Sequence, residues 1–148
     1  MILLYSITNF IFFSITLLVE NFLNLMIYNK YLSLSPFFVL LFIFSITRFN
    51  NKNIFPIMGA GLTYDIFLSE NYLGVYTIVF LLVSLSVNYL HEKLFDFNFK
   101  LVFIFSLNYI IYNIPNIVSF NFVPAITLSI FVNYLLFLLL KRVMSFRV

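Results

Sequence analysis

Five acids and one histidine are the only side chains in this sequence able to do acid–base or hard-metal chemistry at neutral pH, and they are scattered. Glu70, Glu92 and Asp96 stand in polar stretches, and His91 lies beside Glu92 and Lys93 in a stretch expected to be a loop, 91–96. One histidine among mixed charges falls short of the three or four ligands that a metal site needs. Two acids, Glu20 and Asp65, interrupt apolar runs instead. A carboxylate at the centre of a bilayer costs about 2.5–3.5 kcal/mol on insertion scales, so a chain rarely carries one there without a use for it. Asp65 admits two uses: a fixed acceptor that ties helices together, or an ion or proton relay. The relay would want a second buried acid beside it, and no such acid stands near Asp65 in the sequence. Cysteine is absent, which excludes disulfides, thiolate metal sites and cysteine nucleophiles. Clustered acids, histidines or Ser–His pairs of the kind a membrane enzyme needs are also missing.

The elements that must position these acids follow from composition. The chain has 148 residues, of which 64% are hydrophobic, 22% aromatic and only 9% charged, with a mean hydropathy of +1.10. A soluble domain this small leaves too much of its surface in water to hide so much apolar area. The expectation is an all-α integral membrane protein, a single transmembrane domain over residues 1–148. Apolar runs between charges place spans at about 2–19, 31–47, 54–68, 73–90, 101–117 and 122–140. These sit at the short end of the roughly 17–25 residues that a spanning helix needs. They lack the in–out alternation of an outer-membrane strand, and in lipid the backbone must satisfy its own hydrogen bonds, so helices are expected despite the many β-formers.

Proline supports this segmentation. Pro36, Pro56 and Pro124 each stand near the start of an apolar run, where a missing N–H costs nothing. Pro36 is equally compatible with the interior of a longer second helix. Pro115 is expected to end or kink the fifth helix. Charge then orients the bundle. With six spans and the amino terminus inside, Arg48, Lys52, Lys93, Lys100, Lys141, Arg142 and Arg147 face the cytoplasm and only Lys30 lies outside. That is a strong positive-inside bias, and it makes both termini cytoplasmic. The first run has no basic n-region and no small-residue cleavage site, so it is read as a retained helix. The net charge of +3 is dispersed, which fits anchoring at lipid headgroups and not a nucleic-acid surface. Lys141 and Arg142 belong to the one compact basic cluster, which anchoring explains and which is also a candidate contact for a cytoplasmic partner.

The segment around Asp65 carries the most information. Gly61 and Asp65 are four residues apart on one helix face, with Gly59 on the adjacent stripe. Small residues let membrane helices approach closely. If the third helix rises from Ile54, Asp65 lies about 16 Å up, near the outer interface. There its carboxylate is expected to accept N–H groups around Tyr72 to Gly74, at the start of the fourth helix, where unpaired donors and partial positive charge meet. In this reading Asp65 is a clasp for a helix hairpin, and Gly74 permits the close approach. Glu20 shares a face with Asn24. It marks either the interface where the first helix emerges, which is the favoured expectation, or a functional position that pairs with Lys30 or lines an outer groove.

Gly59-x-Gly61-x-x-x-Asp65, followed after eight residues by Gly74, resembles the central signature of the MreD family of bacterial rod-shape proteins. Leu73-Gly74 before the fourth span, Pro36 at the second and Val123-Pro124 with Thr127 at the sixth are similar to family positions, and six short spans suit the family's length. Glu70 and Asn71 depart from the glycine-containing connection that members often have. The resemblance implies a non-enzymatic scaffold without a cofactor in the bacterial cytoplasmic (inner) membrane. Its implied partners are a single-span MreC-type protein, MreB-type filaments and wall-synthesis enzymes. The family's fold resembles the substrate-binding subunits of energy-coupling-factor transporters, so a subunit holding a vitamin or metal is the rival expectation. Against that rival, the first span has no alanine, and the outer loops are short for a ligand lid.

Overall fold

The computed structural model describes residues 2–27, 32–47, 54–68, 72–95, 99–116 and 122–143. Within them the chain forms six α-helices: α1 Ile2–Ile27, α2 Pro36–Thr47, α3 Ile54–Phe67, α4 Val75–Lys93, α5 Lys100–Tyr112 and α6 Phe122–Val143. A 3₁₀ turn, Ile114–Asn116, follows α5. Three of the helices are long and apolar enough to cross a membrane, over Ile7–Ile27, Val75–Lys93 and Ala125–Arg142. The other three are apolar but only 12, 14 and 13 residues long for α2, α3 and α5. The expected six spans are therefore six helices of unequal reach. Lys30, Arg48, Lys52, Glu70, Asn71, Asp96 and Arg147, which figured in the expected orientation and turns, lie outside the described residues.

Several helix ends differ from expectation, each for a local reason. α1 does not stop at residue 19 but continues through Glu20 to Ile27, because the Glu20 carboxylate finds hydrogen-bond donors inside the bundle. α2 starts at Pro36 and not at 31. Residues 32–35 are not helical, as the residue before a proline disfavours helix, and Pro36 takes the first helical position. α5 ends at Tyr112, short of residue 117. Pro115 has no N–H to continue the ladder, and Asn113 closes the end with its N–H on Tyr109 O and its Nδ2 on the same carbonyl. α4 and α6 run on into their charged ends. His91 and Lys93 form the last turn of α4 and are not a loop, and Lys141 and Arg142 form that of α6. Cations there face the negative end of the helix dipole.

The short helix α2 is the centre of the bundle. Phe37, Phe38, Val39, Leu41 and Phe42 are wholly buried, and their rings reach four neighbours. Phe37 meets Phe13 of α1 at 5.9 Å and Phe80 of α4 at 4.7 Å, Phe38 and Phe42 meet Phe105 of α5, and Phe42 meets Phe137 of α6 edge-on at 5.3 Å. Lipid offers no hydrophobic drive to helix association, so such packing matters. Each good aromatic pair contributes about 0.5–1.5 kcal/mol beyond area burial. A Ser45–Ser84 hydroxyl bond of 3.2 Å adds a polar tie between α2 and α4. α3 packs on α1 and α4 and adds Ile57 and Ala60 to the buried core.

Candidate functional site

α4 begins without a cap of its own. Its N-cap position is Gly74, which has no side chain to offer, so the first N–H groups of the helix need an acceptor from elsewhere. Asp65, near the end of α3 and only 5% exposed, supplies it. Oδ2 accepts Gly74 N–H at 3.0 Å, Thr77 N–H at 3.1 Å and Thr77 Oγ1–H at 2.9 Å, while Oδ1 accepts Tyr76 N–H at 2.9 Å. Gly74 lies in the expected stretch Tyr72 to Gly74, and Tyr76 and Thr77 follow two and three residues beyond it. All four carboxylate contacts suit an anion, and they sit at the positive end of a helix dipole. The site can hold a charge in place.

The glycines divide their work differently from the expectation. The close approach occurs at Gly61, where an added Cβ would clash with Thr77 Cα and come within 2.9 Å of Thr77 N. Gly74 has open space around it but a φ of +99°, a left-handed conformation that side chains disfavour. It is therefore needed for the turn and not for contact, which corrects the close-approach role. Gly59 makes room on the other face of α3, where a Cβ would come within 2.8 Å of the Phe10 ring of α1. Leu73, the residue before Gly74, is exposed.

Glu20 repeats the capping arrangement on the first hairpin. Only 6% exposed, it accepts Phe37 N–H, in the first turn of α2, on Oε2 at 2.9 Å and Tyr112 O–H of α5 on Oε1 at 2.7 Å. Glu20 is thus inside the bundle and joins three helices, and α1 runs on past it. The alternative pairing with Lys30 falls outside the described residues. Asn24, one turn later, grips the Leu34 backbone at both ends, Leu34 N–H to Oδ1 at 2.9 Å and Nδ2–H to Leu34 O at 2.8 Å.

That grip is part of a belt around the non-helical segment 32–35. Ser129 Oγ accepts Ser33 N–H, Asn133 Oδ1 accepts Ser35 N–H at 2.7 Å, and Asn133 Nδ2 donates to Ser33 O at 2.8 Å. Tyr109 OH lies 3.0 Å from Ser33 Oγ. Buried backbone outside a helix needs other groups to satisfy it, and α1, α5 and α6 contribute those groups here. The two carboxylate sites also touch through rings: Tyr76, next to the Asp65 contacts, lies 5.9 Å from Phe80, which stacks on Tyr112 at 5.6 Å.

The sequence reading located Asp65 and its glycines but missed Thr77, Ser33, Ser35 and Ser129. The available signal for the belt was the polar ladder Glu20–Asn24 on an apolar helix. Pro36 serves as the first residue of α2, and Pro124 is the third residue of α6. Lys141 is half-buried and Arg142 exposed. Among the described residues no group of three or more histidines, cysteines and acids comes together. A mostly apolar groove of about 510 Å³ lies between α1 and α3, lined by Ser14, Leu17, Leu18, Thr63, Phe67 and Leu68. Comparison of the chain with protein-family models, curated proteins and solved structures finds no match.

Proposed function

We propose that this protein is a non-catalytic, multi-pass scaffold of the bacterial cytoplasmic membrane, with six membrane-embedded helices and both termini in the cytoplasm. In this reading it holds a single-span MreC-type partner and couples MreB-type filaments to wall-synthesis enzymes, as the resemblance to MreD implies. One observation carries it: the signature residues Gly61, Asp65 and Gly74 act together to lock α3 to α4, through the carboxylate on Gly74, Tyr76 and Thr77 and the backbone approach at Thr77. Motif residues devoted to shape suit a protein whose task is to present a rigid surface. The belt around residues 32–35 supports holding in the same way. Polar groups of α1, α5 and α6 are committed to the chain's own backbone. This favours the scaffold over the rival reading of a vitamin- or metal-binding transporter subunit.

The test is affinity purification from detergent-solubilised native membranes, comparing the wild-type protein with Asp65→Asn at matched membrane levels. Asparagine has one oxygen for four donors, and its NH₂ would face N–H groups. An MreC-type protein and wall-synthesis enzymes should accompany the wild type and be depleted from the variant. Recovery of an ATPase-driven transporter module, or of a bound vitamin, would overturn the proposal.

A further inference from the structure

We draw no further inference here: the strongest candidate, the mostly apolar groove of about 510 Å³ between α1 and α3, is an unpartnered apolar face, and nothing in the structure shows what covers it.

Discussion

Two hairpins of this protein solve one problem with the same chemistry but in different surroundings. In α1–α2 and in α3–α4, a carboxylate of the first helix caps the start of the second, Glu20 on Phe37 N–H and Asp65 on Gly74, Tyr76 and Thr77. Asp65 takes all its donors from one helix turn, and the glycine at 61 brings that turn close. Glu20 takes one backbone donor and one tyrosine from a third helix. The first is a local clasp that closes a hairpin; the second is a cross-brace that ties α5 to α1 and α2. The contrast teaches that acids of equal burial differ in structural weight according to how many donors depend on them.

The largest effect should come from breaking the clasp. Asp65→Leu leaves three N–H groups and a hydroxyl without their acceptor, each costing about 1–3 kcal/mol if it stays buried. We expect a loss of about 4 kcal/mol or more in denaturant unfolding from mixed micelles. A loss below about 1 kcal/mol would show that the turn finds other partners. Gly61→Val comes next, at about 3 kcal/mol, because the clash is with Thr77 backbone, which cannot swing aside. Gly59→Ala meets only the movable Phe10 ring and should cost far less. The same unfolding measurement checks both.

Breaking the brace should cost less. Glu20→Leu frees Phe37 N–H and the Tyr112 hydroxyl, and should destabilise by about 2–3 kcal/mol. A double-mutant cycle with Tyr112→Phe sharpens the comparison. Glu20 and Tyr112 should couple by about 1 kcal/mol, while Asp65 and Tyr112, which share no hydrogen bond, should be additive within about 0.5 kcal/mol. Equal coupling in both cycles would mean that the Tyr76–Phe80–Tyr112 rings transmit as much as the direct bond does. The smallest effect is expected for Gly74→Ala, about 1 kcal/mol, because the left-handed backbone is disfavoured there but the space is open. That too is read from the unfolding curve.

The clasp was visible in sequence because its parts lie within sixteen residues and use unusual types: two glycines and an acid in an apolar run, then a third glycine. The brace was not. Glu20 looked like the end of a helix because a charge after an apolar run normally marks water. What cancels that rule is Tyr112, distant in the chain, and a backbone N–H that has no sequence signature at all. The belt was hidden for the same reason. Ser33, Ser35, Ser129 and Asn133 are ordinary residues until the fold brings segment 32–35 between α1, α5 and α6. The glycine roles were half legible: spacing showed that Gly61 and Asp65 share a face, but only the positive φ at Gly74 and the contact at Thr77 separated turn from close approach.

By itself the sequence determined the element type. Its apolar content and the lack of strand alternation require helices, since a backbone in lipid must bond within its own segment. It also indicated that Asp65 needed donors, while it left Pro36 compatible with either a helix start or a helix interior. Only the tertiary structure decided which helix is central and which acid braces three helices at once. It also decided that apolar runs of similar appearance become helices of such different length, from the 12 residues of α2 to the 26 of α1. The physical reason is that helix ends inside a bundle are set by which neighbour can satisfy the freed N–H and C=O groups. Those neighbours are chosen by packing between parts of the chain that the sequence keeps far apart.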